Sequence, residues 1–475
     1  MNTLRRIWGW IDYRLKFTKA FLPVIEHPVP RKVNWWYVFG SATLTAFVFQ
    51  VITGVALAFT YVPAPNSAYD SLEFISHKAT LGSVVRGIHY WGASAMVILI
   101  FVHVARVFLM GSYKFPRELN WLTGVGLLFL TLGMAFTGQL LRWDQDAYWA
   151  VVVGAEQAGR VPVIGHLLVE ILAAGETVGG NTLTRFYATH VFLIPALMFL
   201  LIGAHLYLVV EHGISEPPTP GEPVDPATYE AHYHHILETD GEPFWPDAAW
   251  RDVVFALAIG TIVLILAIYP GPKELGKIAD PTNLKVYPRP DWYFLWYFAL
   301  LALIPPSIES WVMVGFPLVA AVVLIALPFV ANKGERSPRR RPWAPTIVGL
   351  SVVAIAVLIV VGDRAPWSPV LSPAPLPANV IAAAQAQNVV TGATVFQTQG
   401  CINCHTIAGV GGKRGPDLTT VGNRLSDAQL TWRILNGGHN MPAFANTLTP
   451  SQLQAVVAFL SEQKGQPPPS NAASK

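Results

Sequence analysis

The sequence predicts an all-α protein: a polytopic transmembrane helix bundle followed by a small soluble C-terminal domain. Three observations carry this. Only 13% of the 475 residues are charged and 52% are hydrophobic, whereas soluble domains average about 25% charged. Seven apolar runs are long enough to cross roughly 30 Å of hydrocarbon, near 36–61, 87–109, 121–141, 187–210, 252–270, 311–330 and 344–362. The two cysteines, Cys401 and Cys404, fall together in a Cys-Ile-Asn-Cys-His run beyond the last of these. A net charge of +3 gives no bulk attraction for nucleic acid, and none is expected as a partner.

The elements follow in order. Residues 1–32 hold Arg5, Arg6, Arg14, Lys16, Lys19, Arg31 and Lys32. They lead into a full-length span rather than a short signal core. Lys and Arg are commoner in this segment and the alternate loops on its side than across the membrane, which predicts a cytoplasmic N-terminus. Seven spans from that start leave residue 363 onward outside. The stretch 292–304 is apolar and aromatic but short, stopped by Pro305-Pro306, and reads as a buried or interfacial helix. A proline-rich spacer over 364–379 precedes a soluble domain over 380–465. A helix is expected before Cys401 and another through Ser451–Gln463. The expected organisation is 1–215, 216–375 and 376–475.

Histidine spacing gives the first chemistry. His89 and His103 lie fourteen residues apart in the second span, and His190 and His205 fifteen apart in the fourth. These are about 3.9 and 4.2 helical turns, so each pair returns to nearly one face, separated by roughly 21–22 Å along the axis. In two antiparallel helices, His89 faces His190 near the outer side and His103 faces His205 near the inner side. A single intramembrane histidine commonly just bonds a neighbouring helix, but four in register are costly polar groups without a shared purpose. Two bis-histidine haems b supply one. Gly40 and Gly54 in the first span and Gly124 and Gly138 in the third repeat the fourteen-residue period. Without Cβ they let a flat macrocycle approach, although small residues also serve ordinary helix packing. Arg86 and Arg185 near outer ends and Arg106 near an inner end are candidates for the haem propionates, with snorkelling as the plain alternative.

The Cys401–His405 run reads as covalent attachment of one haem c, with thioethers to Cys401 and Cys404. His405 is its proximal ligand. The distal ligand is Met441, since no other methionine follows Met313; His439 stays open as the alternative. A methionine ligand raises the potential relative to two histidines.

With these residues on the page, the chain resembles cytochrome b of the Rieske/cytochrome b complexes. The resemblance rests on the histidine spacings, Trp-Asp-Gln at 143–145, Tyr-Trp-Ala at 148–150 and Thr-Leu-Thr-Arg-Phe-Tyr at 182–187. The fifteen-residue gap is similar to the b6f branch. Residues 241–362, with Gly-Glu-Pro-Phe-Trp-Pro at 241–246 and Pro-Asp-Trp-Tyr at 290–293, resemble that branch's subunit IV. Gly415-Pro416-Asp417-Leu418 resembles the haem-edge loop of class I cytochromes c. The resemblance implies a four-helix di-haem core plus three further spans, fused to a cytochrome c. It implies that Pro290, Asp291, Trp292 and Tyr293 line an outer quinol-oxidising pocket, shaped also by Tyr148 and Gly154. Asp291 suits proton acceptance from a quinol, and it also stands where an Asp caps a helix. The family's usual residue there is Glu, and the shorter acid points to menaquinol rather than ubiquinol. The inner quinone pocket offers only Glu211 and His212, and His232, His234 and His235 read as a solvated loop rather than a metal site. Val38 stands where the b6f branch carries a cysteine, so no covalent extra haem is expected.

The function implied is the cytochrome b/c subunit of a quinol:cytochrome c reductase with proton translocation, in a bacterial cell membrane. Its expected partners are a separate Rieske iron–sulfur protein, quinone, a cytochrome c or oxidase as acceptor, and a second copy in a homodimer. Two other readings remain: a membrane relay anchoring a dehydrogenase or oxidase, and a haem-free scaffold tethering a cytochrome c.

Overall fold

A computed structural model describes residues 2–175, 178–280, 289–364, 374–377, 380, 387–412, 415–437, 441–445 and 447–465. Among these described residues, seven helices are long and apolar enough to span a membrane: Phe39–Ala58, Gly82–Leu109, Glu118–Leu140, Gly180–His212, Trp250–Ile268, Ser307–Val330 and Trp343–Arg364. They match the seven expected runs in number and order. Their faces carry exposed Ile52, Leu200, Leu257, Val319 and Leu350, as lipid-facing helices require, because a helix satisfies its own backbone and leaves side chains to meet hydrocarbon. The short helix runs Trp292–Leu303. Pro305 caps the following helix and Pro306 opens it, where a missing N–H costs nothing.

The chain divides into two compact units. One comprises 1–139, 186–275 and 291–363; the other comprises 140–185, 276–290 and 364–475. In the first, the apolar centre is built from Ala42, Ala46 and Phe47 of the first span, Met96 and Leu99 of the second, and Ile194 and Met198 of the fourth. Small residues permit the closest approach. A Cβ on Gly87 would meet Ala267 at 2.9 Å, which brings the second and fifth spans together. Two helices the sequence did not announce, Asn2–Leu15 and Phe17–Ile25, precede the first span. Pro28–Pro30 then pairs antiparallel with Gly241–Pro243, so the Gly-Glu-Pro segment ties the entry of the fifth span to that of the first.

One set of helix ends holds buried cations. Arg117 donates to the carbonyls of His212 and Gly213, at 2.9 Å each. Lys114 reaches those of Ala331 and Lys333 at 2.6 and 2.7 Å, and Arg341 that of Leu109 at 2.7 Å. These carbonyls end the fourth, sixth and second spans. These cations thus satisfy the orphan acceptors and dipole of helix C-termini. Burial pushes the Lys114 ammonium down to about 8.

In the second unit, Asp144 caps the helix Gln145–Gly159 by accepting from Ala147 N. Gln145 N donates to Lys277 O and Ala279 N to Trp143 O, so the Trp-Asp-Gln motif anchors the 276–280 loop. The soluble domain packs Gln387–Thr398 on Pro450–Ser461, with the Phe396 and Phe459 rings tilted against each other at 5.7 Å in its core. At Gly392 any Cβ would strike the Ala455 carbonyl at 2.0 Å.

Candidate haem centres

All four intramembrane histidines turn inward. The His89 and His190 rings face one another with centroids 6.3 Å apart and planes at 75°. Two metal–imidazole bonds of about 2 Å each, added to the two half-rings, account for a gap of this size. The fifteen-residue interval of the fourth span is reconciled with a common face by a π turn. Residues Thr189–Leu193 form it, and Ile194 N–H reaches back five residues to Thr189 O. Pro195 follows directly, and its missing N–H and ring disfavour the ordinary α register.

The four glycines lie against the four imidazoles, one each. A Cβ on Gly54 would stand 3.2 Å from His89 Cε1, and on Gly40 3.2 Å from His103 Cε1. On Gly124 it would stand 3.5 Å from His205, and on Gly138 only 2.7 Å from His190. Their service is to seat the ligand ring. Three are preceded by a threonine, which the sequence reading missed. Thr53 Oγ1 lies 2.9 Å from His89 Nδ1, Thr123 Oγ1 2.9 Å from His205 Nδ1, and Thr137 Oγ1 3.1 Å from His190 Nδ1. The signal was legible as Thr-Gly repeated in the glycine register.

Arg106 is buried with its guanidinium 3.5 Å over the Tyr37 ring, and its Nε and Nη2 have no partner. A buried cation with unsatisfied donors awaits an anion, and a haem propionate fits. Arg86 is also buried, but donates to Ser76 Oγ at 2.9 Å and Lys273 O at 2.6 Å. Arg185 is exposed and donates to Ile171 O. The Gln139 amide, beside Gly138, is buried with neither atom bonded. Paired imidazoles, a glycine cradle and orphaned donors together fit two haems b.

Asp291 stands at the start of the short helix, yet its side chain makes no capping bond. It accepts from Tyr293 Oη at 3.0 Å instead. Trp292 Nε1 donates to Ser94 Oγ of the second span, and Phe294 packs on Phe136 of the third. Pro290 and Tyr148 belong to the other unit. There Tyr148 is buried between Trp143 and Trp149 and donates to Val178 O at 3.3 Å, and burial raises its pKa. Gly154 is half-buried in the same helix. Asp252, which the sequence did not single out, accepts from Ser41 Oγ at 2.5 Å. His232, His234 and His235 lie in the helix Tyr229–Asp240, not in a loop, and the described residues hold no group of three metal-ligating side chains.

In the soluble domain, Cys401–Asn403 form a tight turn, and His405 N closes back on Cys401 O at 3.0 Å. Neither cysteine is in a disulfide, and burial pushes the Cys401 thiol up to about 12. His405 is buried, with Nδ1 2.9 Å from Pro416 O. A carbonyl only accepts, so Nδ1 carries the proton and Nε2 keeps its lone pair for a metal. Burial lowers the His405 pKa, keeping the ring neutral. Cys401 and Met441 pack against the same apolar core. His439 lies outside the described residues.

Comparison with known proteins now decides the family. The family profile described as Cytochrome b/b6/petB matches residues 24–213, and Cytochrome b(C-terminal)/b6/petD matches 278–376. The menaquinol:cytochrome c reductase cytochrome b subunit of Bacillus subtilis is 41% identical over 45% of this chain and 99% of its own length. The chain belongs to the cytochrome b family. This cytochrome b also carries a cytochrome c domain: the profile Cytochrome C oxidase, cbb3-type, subunit III matches 387–460. The cytochrome bc complex cytochrome b subunit of Chlorobaculum thiosulfatiphilum is 34% identical over 74% of the chain and 79% of its own length. A solved structure titled hyperthermophilic respiratory Complex III superposes with TM-score 0.64 at 26% identity, covering 75% of this chain and 91% of that one. The sequence's own family reading and its multi-pass helical fold both stand.

Proposed function

We propose that this protein is the cytochrome b/c subunit of a quinol:cytochrome c oxidoreductase that oxidises quinol on the outer face of a bacterial cell membrane and translocates protons. The observation that carries the reading is four half-buried intramembrane imidazoles, each on its own glycine, with the His89 and His190 rings 6.3 Å apart. His89 and His190 would hold the outer haem b, and His103 and His205 the inner, with Arg106 beside the inner propionates. Cys401 and Cys404 would hold one haem c, with His405 and Met441 axial. When bound, these groups supply one-electron carriers. The working organisation would be 1–215, 216–375 and 376–475, with the N-terminus cytoplasmic and the haem c domain outside.

The chain's own contribution at the outer site is proton handling. A quinol hydroxyl must lose its proton as it is oxidised, and the Asp291 carboxylate can take it. Its bond from Tyr293 orients it, and Trp292 braces the start of the helix through Ser94. The Bacillus subtilis relative is named for menaquinol, which supports menaquinol as substrate. The two cysteines leave no set for an iron–sulfur cluster, so the Rieske protein would be a separate chain. A homodimer passing electrons to a further cytochrome c or oxidase completes the proposal.

Haem extraction tests the reading. The intact protein is expected to yield two b haems per covalently bound c haem, and absence of b-type bands would overturn it. Asp291→Asn should slow quinol:cytochrome c reduction by about 10²-fold with haem content unchanged; unchanged turnover would remove Asp291 from the chemistry.

A further inference from the structure

The threonines bonded to the ligand rings are unequally shared. At the outer pair both imidazoles have one: Thr53 on His89 and Thr137 on His190. At the inner pair only His205 does, through Thr123. The residue before Gly40 is Phe39, which offers no hydroxyl to His103.

The direction of each bond is fixed by counting hydrogens. Thr53 Oγ1 lies 2.6 Å from Phe49 O, Thr123 Oγ1 2.9 Å from Leu119 O, and Thr137 Oγ1 2.8 Å from Gly133 O. Carbonyls only accept, so the single hydroxyl hydrogen is committed to the helix backbone. The threonine oxygen must then accept from Nδ1–H. Each such bond fixes the tautomer that leaves Nε2 for a metal. It also makes the imidazole a stronger electron donor, as outer-shell acceptors do for ligating histidines. A stronger donor favours the oxidised iron.

We propose that Thr53 and Thr137 are positioning residues that lower the reduction potential of the outer haem below that of the inner one, where Phe39 withholds the corresponding bond from His103. The asymmetry biases electrons from the outer haem to the inner. It rests on the four histidines holding two haems b, as argued above.

The test is a redox titration of the purified complex, followed optically through the b-type bands. Thr53→Val should raise the midpoint of the lower-potential component about tenfold in its reduction equilibrium, roughly 59 mV for one electron. Thr53→Ser, which keeps the hydroxyl, should restore it. Thr137→Val should act in the same sense but less, because its contact with Nδ1 is the longer one, 3.1 Å against 2.9 Å. Thr123→Val should raise the higher-potential component instead. Thr131→Val is the control: it removes the same kind of intrahelical bond, to Leu127 O at 2.8 Å, without touching a ligand, and should move neither. Should Thr53→Val assemble without its haem, Thr137→Val decides by the same criterion. The proposal is overturned if both haems are present and neither midpoint departs from the control, or if Thr53→Val moves the higher component. A wild-type complex without b haems would overturn the underlying haem reading instead.

Discussion

The five candidate ligand histidines fall into two groups that solve one problem with different materials. In the membrane spans each imidazole rests on a glycine, and three are held at Nδ1 by a threonine side chain. In the soluble domain His405 also rests on a glycine, since a Cβ on Gly415 would stand 2.6 Å from its ring, but Nδ1 is held by the main-chain carbonyl of Pro416. Carbonyls in a transmembrane helix are already engaged in its own ladder, and at three of the four rings a threonine oxygen serves as acceptor instead. A loop has carbonyls to spare. The membrane seat can therefore be altered by substitution residue by residue, while the soluble seat is built into the chain path.

The comparison breaks most visibly at the ligands. His89→Ala should abolish one b haem and leave the c haem whole, so pyridine haemochrome analysis should fall from two b per c to one. Retention of both would mean that His89 is not a ligand. The next effect grades the glycines by clearance. Gly138→Val, where 2.7 Å is already too close for a Cβ, should lower b-haem occupancy by at least about tenfold. Gly124→Ala, with an ordinary 3.5 Å contact, should retain both haems, in keeping with the small cost of a well-accommodated methyl. Equal loss from both would deny the glycines their seating role.

What the sequence disclosed follows the same division. The spans were legible because a long apolar run has few other uses, and the histidine and glycine periods were legible because an α-helix repeats them. The fifteen-residue interval was not fully explained by a 3.6-residue period. It needs the π turn before Pro195, and periodicity carries no information about a local widening. Thr53, Thr123 and Thr137 were overlooked because a threonine inside a span reads as a neutral filler, with its hydroxyl spent on the backbone. Only the facing histidine gives the oxygen's second lone pair a purpose. The helices of residues 2–25 were hidden by reading their Arg and Lys solely as topology signals. Arg86 could not be told from Arg106 in sequence, because what separates them is Ser76 Oγ and the Lys273 carbonyl, the latter supplied 187 residues away.

The smallest expected effect is also the sharpest test of the contrast between side-chain and main-chain seats. Pro416 holds His405 through a carbonyl that every amino acid possesses. Pro416→Ala should therefore leave the bond to Nδ1 intact, and with it the c-type spectrum and midpoint. What changes is the unfolded chain, which gains freedom when the pyrrolidine ring no longer fixes φ. That should cost about 0.4–1 kcal/mol, readable as a small drop in the thermal midpoint of the c-type absorbance. Thr53→Val, by comparison, removes the acceptor itself and should move a potential. If Pro416→Ala shifted the c haem's midpoint as far as Thr53→Val shifts a b haem's, the proline ring would be acting on the imidazole directly. The distinction between a seat made of backbone and one made of side chains would then fail.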